Sequence, residues 1–322
     1  MTRVVFMGSP DMALPSLRVL AAHPQVTLAG VISQPDRPAG RARREQPCPV
    51  KTEAMAMGLP VATPLKAGGP EGLAQLQDFD PALIVVCAYG QILPERLLAL
   101  PPLGCFNLHF SLLPRWRGAS PVQAALLAGD THTGVSLQRM VLALDAGPLV
   151  ACTPPLPIAP HDTAGSLGER LAAVAGDLLR DTLPVLLCGH PPLTPQDDAR
   201  ATFCRTIKKA QGAVNWAAES AQEIERKRRA YTPWPGCYGY LGARRIAFEA
   251  LRVVQAGDGA PSGATAAAPG VLQAGGIVAA REGAVQLLRV KPEGKAAMDI
   301  EAFLNGAPDA LGGTFMPGPP AG

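Results

Sequence analysis

The chain has 322 residues, of which 48% are hydrophobic, and its formal net charge is +3. This length predicts one large or two ordinary domains with a sizeable core, and so weak a positive charge does not by itself indicate a nucleic-acid partner. The seven cysteines are scattered and form no Cys-x-x-Cys pair, which argues against a disulfide framework or a zinc site and favours a reducing compartment such as the cytoplasm. No apolar run reaches the roughly 18 residues that a membrane span needs.

The first residues of the chain predict a parallel βαβ unit. Residues 4–7 have the pattern of a buried strand, a helix is predicted over residues 12–22, and a second strand over 26–33. This order and spacing are typical of parallel α/β proteins. Asp11 interrupts the first apolar run, which argues against a signal peptide. The turn after the first strand does not match the glycine-rich dinucleotide fingerprint, so the sequence does not indicate a nicotinamide cofactor.

Residues 34–49 are predicted to form an irregular loop, because they are polar and broken by prolines. Four arginines lie in this loop: Arg37, Arg41, Arg43 and Arg44. A solvated surface loop explains this composition, although guanidinium groups also suit contacts to phosphates and base edges.

A helix over residues 51–58 and a short strand over 59–61 come next. A strongly apolar strand over 82–87 then leads into a turn that contains Gln91, Ile92 and Leu93. Composition alone identifies this turn only as an ordinary strand-to-helix connection.

The most informative stretch of the sequence runs from residue 104 to residue 147. Asn107 and His109 are two residues apart at the end of a predicted strand, so their side chains face the same side. Asp145 lies on a later turn, just before Gly147. An amide can support a developing oxyanion, an imidazole can carry a proton near neutral pH, and a carboxylate can hold the imidazolium. These groups suit the attack of an amine on a carbonyl, which needs no serine or cysteine nucleophile.

Four short motifs in this stretch carry a resemblance to a known family. Asn-Leu-His at 107–109, Ser-Leu-Leu-Pro at 111–114, Arg-Gly-Ala at 117–119 and Leu-Asp-Ala-Gly at 144–147 resemble the folate-dependent formyltransferases. The resemblance implies 10-formyltetrahydrofolate as the formyl donor, no metal, and Asn107, His109 and Asp145 as the catalytic residues. It also implies folate contacts from Gln91, Ile92, Leu93, Ser111, Leu112, Leu113 and Pro114.

Further expectations concern individual residues in the same stretch. Arg117 is expected to set the shape of its loop by holding a carboxylate or a carbonyl group. Phe110, Trp116 and Val141 depart from the residues usual in the family. None of them removes a catalytic residue, and Phe110 and Val141 bear on the shape of the pocket.

The remainder of the first half predicts an antiparallel addition to the parallel sheet. A helix is predicted over residues 121–129, a hairpin of strands over 133–140 and 148–157, and a long amphipathic helix over 163–187. The hairpin would place antiparallel strands at one side of an otherwise parallel sheet.

The resemblance implies a two-domain α/β protein. A Rossmann-like, mostly parallel sheet domain is expected over residues 1–189, a linker over 190–207, and an OB-like β-barrel that binds tRNA over 208–306. Residues 307–322 contain few apolar side chains and are expected to form a disordered tail. Residues 256–269 read as a flexible hairpin tip within the barrel.

Basic residues are concentrated after the expected linker. Lys208 and Lys209 come first, and the run 226–229 follows. A solvated helix face explains such a run by itself. The resemblance implies instead that the acceptor is initiator methionyl-tRNA and that phosphates are contacted by Arg37, Arg41, Arg43, Arg44, Lys208 and Lys209.

Two alternatives remain open from the sequence. An amino-sugar or glycinamide-ribonucleotide formyltransferase would use the same three catalytic residues, but a small acceptor needs neither a basic segment nor a barrel. A non-catalytic nucleic-acid-binding protein with an inherited fold would not need Asn107, His109 and Asp145. No feature of the sequence demands more than a monomer.

Overall fold

The computed structural model describes residues 1–39, 44–255 and 267–319. The chain divides into two units, each assembled from more than one segment. The first unit contains Met1–Val122, Thr131–Ile158 and Ser166–Arg205, and the second contains Gln123–Asp130, Ala159–Gly165 and Thr206–Gly322. Residues 190–205, expected to form a linker, therefore belong to the first unit.

The strands of the first unit have between two and seven residues. In chain order they are β1 (Thr2–Gly8), β2 (Val26–Ile32), β3 (Arg37–Ala39), β4 (Arg44–Gln46), β5 (Val61–Ala62), β6 (Leu83–Cys87), β7 (Cys105–His109), β8 (Arg117–Gly118), β9 (His132–Thr133), β10 (Ser136–Arg139), β11 (Leu149–Cys152), β12 (Leu156–Pro157) and β13 (Phe203–Cys204). The strands of the second unit are β14 (Cys237–Leu241), β15 (Arg244–Val253), β16 (Ile277–Ala279), β17 (Ala284–Pro292), β18 (Met298–Asp299) and β19 (Phe315–Met316).

Helices connect these strands. In chain order they are α1 (Leu14–Ala22), α2 (Pro49–Ala56), α3 (Pro70–Phe79), α4 (Glu95–Leu98), α5 (Pro121–Ala128), α6 (Ala164–Leu187), α7 (Ala221–Ala230) and α8 (Ile300–Asn305). Of these helices, α3 is not predicted from the sequence. Within the described ranges, no helix combines the length and the apolar content that a bilayer crossing requires.

A seven-stranded sheet forms the centre of the first unit, in the order β11-β10-β7-β6-β1-β2-β5. The five strands from β7 to β5 in this order are parallel, whereas β10 is antiparallel to both β7 and β11. A parallel sheet is covered on both faces, so its strands are continuous apolar runs, and every residue of β6 is buried. The predicted Rossmann-like sheet and its antiparallel hairpin are confirmed.

The prediction of an irregular loop over residues 34–49 is wrong, because part of this segment forms a hairpin. β3 and β4 pair antiparallel, with Arg37 opposite Gln46, and an ion pair of 2.8 Å joins Lys51 Nζ to Asp36 beside it. Each strand has only three residues, and the pairing joins residues across the loop, so no local pattern indicates it. Arg41 and Arg43 lie outside the described residues.

A curled antiparallel sheet forms the second unit, in the order β16-β17-β15-β14-β19, with β18 paired to β17. Trp216 is buried in its core, and its ring centroid lies 5.6 Å from that of Phe248 and 6.0 Å from that of Phe315. This arrangement confirms the predicted smaller, OB-like domain. Most of the expected hairpin tip, residues 256–266, lies outside the described residues.

The C-terminal segment differs from the disordered tail that was expected. Over residues 307–319 the chain forms a short 3-10 helix and then β19, which pairs antiparallel with β14. Phe315 is 2% exposed and belongs to the aromatic core described above. One buried aromatic ring and a strand pairing therefore hold a segment that is rich in glycine and proline.

Candidate active site

The strand β7 presents two polar side chains on one face of the central sheet. Asn107 and His109 alternate with buried apolar residues along β7, and their register partners on β10 are Gln138 and Ser136. Directly paired residues of antiparallel strands point to the same face. His109 is only 5% exposed, so its imidazole needs hydrogen-bonding partners inside the protein.

The two ring nitrogens of His109 face different acceptors. Nε2 lies 2.8 Å from the backbone carbonyl oxygen of Trp116, and since a carbonyl only accepts, Nε2 carries the hydrogen. Nδ1 lies 3.7 Å from Oδ2 of Asp145, and both side chains are almost fully buried. The structure therefore brings His109 and Asp145 together, and Nδ1 is the nitrogen that faces the carboxylate.

Asp145 occupies a tight bend after β10. Its φ of 50° is in the left-handed region, which non-glycine residues adopt rarely. The carboxylate is held on both sides, because Oδ2 accepts from the Gly118 N–H and Oδ1 accepts from Gln138 Nε2, each at 2.8 Å. A Cβ atom at Gly147 would overlap the carbonyl oxygen of Arg139, so the bend requires glycine at that position.

A polar network that the sequence analysis does not predict surrounds this bend. Gln196 Nε2 donates to the carbonyl oxygens of Asp145 and Gly147, at 2.8 and 2.7 Å. Gln196 Oε1 accepts from the guanidinium of Arg117, which also pairs with Asp198 at 2.7 Å. The expectation that Arg117 holds a carboxylate or a carbonyl is confirmed, since it holds one of each.

The sequence indicates the two glutamines of this network to different degrees. Gln138 is buried on β10 directly opposite Asn107, and its position in the strand predicted over residues 133–140 could have indicated it. Gln196 follows prolines in an expected linker, where no local pattern points to a site.

The loop from Ser111 to Pro114 uses much of its polarity for its own structure. The Ser111 hydroxyl donates to the carbonyl oxygen of Arg115 at 2.5 Å, and the Ser136 hydroxyl bridges the carbonyl of Ser111 and the N–H of Leu113. Ser111 and Leu113 are buried, whereas Leu112 and Pro114 are partly exposed. Of the four predicted folate contacts in this loop, only Leu112 and Pro114 present accessible side-chain surface of any extent.

A second segment, around Thr202, is hydrogen-bonded to the same loop. Thr202 accepts from the Arg117 N–H through its carbonyl, accepts from the Trp116 N–H through its hydroxyl, and donates its own N–H to the Pro114 carbonyl. β13 then pairs with β8 in parallel. The carbonyl that binds His109 is thus held by residues some 90 positions later in the chain.

A cavity of about 130 Å³ opens beside Asp145. It is lined by Gln91, Ile92, Leu93, Gln138, Met140, Val141, Leu142, Leu144 and Asp145. Ile92 is 82% exposed, and Val141, Leu142 and Leu144 are also exposed, so the lining combines accessible apolar side chains with the polar groups of Gln138 and Asp145. Such a lining fits a flat heteroaromatic ring with polar edges.

The predicted folate residues are distributed unevenly around this cavity. Gln91, Ile92 and Leu93 all line it. The Gln91 amide is already bonded to the Ala67 N–H at 2.8 Å and to the Leu65 carbonyl at 3.2 Å, so it builds the wall. Asn107, His109 and residues 111–114 are not among the lining residues.

The predicted tRNA-binding residues differ in how much of them the structure describes. Arg37 is exposed and donates to Gln34 Oε1 at 3.3 Å. Lys208 and Lys209 are exposed at the start of a short 3-10 helix. The backbone of Arg44 lies in β4, and Arg41 and Arg43 fall outside the described residues.

The basic run in α7 has a different environment. Lys227 Nζ lies 2.6 Å from Glu219 and Arg229 Nε lies 2.9 Å from Glu225, and Arg228 lies 3.5 Å from the same Glu225 carboxylate. These side chains are mostly buried, and acids within the second unit neutralise them. The run is therefore part of the packing of α7.

Comparisons with known proteins agree with this fold and site. Residues 2–183 match the family model described as formyl transferase, and residues 206–308 match that of the formyl transferase C-terminal domain. The N-formyltransferase of Helicobacter canadensis, solved with folinic acid and dTDP-3-aminofucose, is similar with a TM-score of 0.64 at 16% identity, over 88% of this chain and 98% of that one. Aquifex aeolicus HypX, solved with tetrahydrofolic acid, has a TM-score of 0.61 at 15% identity, over 96% of this chain and 48% of that one.

Such low identities show the fold alone, but the family models cover most of this chain, so it is a formyltransferase. Two curated relatives narrow the assignment. The methionyl-tRNA formyltransferase of Xanthomonas euvesicatoria is 42% identical over 95% of this chain and 98% of its own length. That of Symbiobacterium thermophilum is 42% identical over 98% and 96%. The chain belongs to the methionyl-tRNA formyltransferases, which confirms the resemblance read from its sequence.

Proposed function

We propose that this protein transfers the formyl group of 10-formyltetrahydrofolate to the α-amine of methionine on initiator tRNA, for translation initiation. The observation that carries the proposal is 42% identity to methionyl-tRNA formyltransferases over nearly the whole chain. The buried pair of His109 and Asp145, 3.7 Å apart, supplies groups suited to moving a proton during such a transfer.

The cavity beside Asp145 supports folate as the carrier of the formyl group. Exposed Ile92, Leu142 and Leu144 would cover the faces of a pterin ring, while Gln138 and Asp145 offer hydrogen-bonding groups to its polar edge. Gln91 and Leu93 form part of the cavity wall. In the loop formed by Ser111, Leu112, Leu113 and Pro114, the accessible side chains are those of Leu112 and Pro114. The bound co-substrate supplies the activated formyl group, and the protein orients it.

Three side chains divide the catalytic work in this proposal. The amine of methionine bonds to the formyl carbon while the bond to the folate nitrogen breaks, so a proton must move from the amine to that nitrogen. Asn107 donates to the formyl oxygen as negative charge develops on it. His109 contributes through Nδ1, since Nε2 is bonded to Trp116. Asp145 holds the imidazole and assists the proton transfer.

Six basic residues are proposed to bind the phosphates of the tRNA. They are Arg37, Arg41, Arg43, Arg44, Lys208 and Lys209. Contacts of this type provide affinity without reading sequence.

A comparison of acceptors tests the function directly. Purified protein and 10-formyltetrahydrofolate are incubated with methionyl initiator tRNA, with a nucleotide-linked amino sugar, or with glycinamide ribonucleotide, and the formylated product is measured. We expect formylation of the methionine amine and little of the small acceptors. Formylation of a small acceptor in preference to the tRNA would support the alternative function, and saturable tRNA binding without folate binding or turnover would indicate a non-catalytic protein.

We also propose that the protein acts as a monomer in the cytoplasm, where initiator tRNA is charged and used. Light scattering of the purified protein tests the first part. We expect a mass near 33.4 kDa, and a mass twice as large at working concentration would contradict it.

A further inference from the structure

Gln196 contacts the bend that carries Asp145 although it lies 51 residues later in the chain. Its Nε2 donates to the backbone carbonyl oxygens of Asp145 and Gly147, at 2.8 and 2.7 Å. An amide nitrogen has two hydrogens, and these two bonds use both. The next acceptor, Gln138 Oε1, is more distant at 3.4 Å. One side chain therefore ties the two ends of the bend together.

The orientation of the Gln196 amide is determined by the chemistry on both sides of it. Its Oε1 accepts from Arg117 Nε at 3.0 Å and from Arg117 Nη2 at 2.9 Å. A guanidinium only donates and backbone carbonyls only accept. Rotating the amide by half a turn would therefore place donors against donors and acceptors against acceptors. Arg117 is itself buried and is held by Asp198.

The bend depends on support of this kind. Asp145 has a left-handed backbone conformation, which side chains disfavour and which persists only where the surroundings enforce it. The bonds from Gly118 and Gln138 reach the carboxylate oxygens of Asp145 and leave its backbone free. Gln196 is bonded to the backbone itself, so it supports the part of the bend that those two bonds do not reach.

We propose that Gln196 is a positioning residue for formyl transfer, which holds the bend of residues 145–147 so that the Asp145 carboxylate stays beside Nδ1 of His109. The proposal rests on the catalytic role proposed for Asp145 and extends it to a residue that acts through Asp145. A displacement of about 1 Å in a catalytic group lowers a rate by roughly 100-fold, so loss of this support should reduce turnover.

The first test replaces Gln196 by a residue of similar length without hydrogen-bonding groups. Gln196→Met should lower kcat by roughly 10- to 100-fold, with KM for tRNA nearly unchanged, because the basic residues proposed to bind the tRNA are intact. Gln77→Met, on the exposed surface of α3, is the matched control and should keep the wild-type kcat. A Gln196→Met enzyme with wild-type kcat would overturn the proposal.

A second variant separates the two halves of the amide and remains informative if Gln196→Met fails to fold. Gln196→Glu keeps an oxygen for Arg117 but has no hydrogen for the carbonyls of Asp145 and Gly147. We expect kcat to fall at least as far as in the methionine variant, because the new oxygen would face two carbonyl oxygens, while the ion pair to Arg117 helps to retain the fold, which the melting temperature checks. Full activity of the folded glutamate variant would show that the bonds to the bend are dispensable.

A double-variant cycle distinguishes this proposal from the proposed function. Residues that act through one group have non-additive effects. Gln196→Met should therefore cost little further activity when it is added to Asp145→Asn. An equal loss in both backgrounds would mean that Gln196 acts elsewhere. If Asp145→Asn alone keeps the wild-type rate, the proposed role of Asp145 fails, and the role of Gln196 fails with it.

Discussion

At the scale of single residues, the site contains groups proposed to take part in the reaction and groups that hold them in place. Nε2 of His109 is bonded to a backbone carbonyl, so only Nδ1 faces Asp145. Both oxygens of Asp145 accept hydrogen bonds from the protein. These bonds restrict the imidazole and the carboxylate to one arrangement, as an electrostatically preorganised site requires.

The residue proposed to bind the formyl oxygen can be tested by truncation. Asn107→Ala should lower kcat by roughly 100- to 1000-fold, because one donor to the developing oxyanion is lost. The measurement is single-turnover formylation of methionyl-tRNA with saturating folate. Asn305→Ala, at the exposed end of α8, is the control. Near-normal turnover of Asn107→Ala would contradict the assignment.

The bend itself can be tested at Gly147. A methyl group there would overlap the carbonyl oxygen of Arg139, so Gly147→Ala should reduce the free energy of unfolding by roughly 1–3 kcal/mol and lower activity as well. Urea denaturation provides the measurement. Gly306→Ala is the control, since a Cβ there would meet only ordinary contacts. Equal stability of the two variants would show that the backbone relaxes freely at the bend.

At the scale of elements, α7 shows how a helix with few apolar residues is stabilised. Its first turn has a capping box, in which Glu223 N–H donates to Ser220 Oγ at 3.2 Å and Ser220 N–H donates to Glu223 Oε2 at 2.7 Å. Its last turn carries basic residues, which complement the helix dipole. Hydrogen bonds from the Ser220 N–H and hydroxyl, in that order, lower the pKa of Glu223.

This capping box predicts a pH-dependent contribution to stability. Because the pKa of Glu223 is lower in the folded state, its charged form stabilises the fold above the ordinary value of 4.5, and this contribution is lost as the pH falls through the folded value. Glu223→Ala should therefore lower the melting temperature at pH 7, and the difference from the wild type should shrink below pH 4.5. Glu169→Ala, on the exposed surface of α6, controls for the loss of a carboxylate. A pH-independent difference would argue against the box.

Elements with strong periodicity can be predicted from the sequence, and weakly patterned ones cannot. The apolar run of β6 and the amphipathic α6 follow from their residue spacing. In α3 the apolar residues Leu73, Leu76 and Phe79 recur at helical spacing, but Leu76 alone of the three is fully buried, and Gly69 and Pro70 before the helix read as a loop. β19 depends on one ring, Phe315, that packs against residues distant in the chain.

At the scale of the whole molecule, the candidate site is predictable where neighbours in sequence are neighbours in space. Alternation along β7 pairs Asn107 with His109, and the family motifs bring in Asp145. Gln196 and Asp198 reach the site from segments far along the chain, and only the tertiary fold brings them there. The same holds for the basic residues of α7, whose acidic partners lie partly outside the helix.

The distribution of charge across the molecule predicts which lysines matter for tRNA. The net charge is only +3, so affinity must come from exposed basic groups rather than from the total. Replacing Lys208 and Lys209 together by alanine should raise KM for methionyl-tRNA and reduce the slope of log KM against log salt by about two, with kcat unchanged.

The matched control for this prediction replaces two other exposed lysines of the second unit, Lys291 and Lys295. We expect their double alanine variant to keep the wild-type KM and salt slope. Identical behaviour of the two double variants would remove Lys208 and Lys209 from the proposed contact surface.

The segment that ends the first unit also has a consequence for protein engineering. Thr194 pairs with Leu149, Asp198 with Arg117, and β13 with β8, so these residues complete the catalytic half. Chimaeras that exchange the second half between relatives should therefore be joined after Arg205. A junction at Gly189 would instead take this segment from the other relative, although it is hydrogen-bonded to the active-site loop of the first.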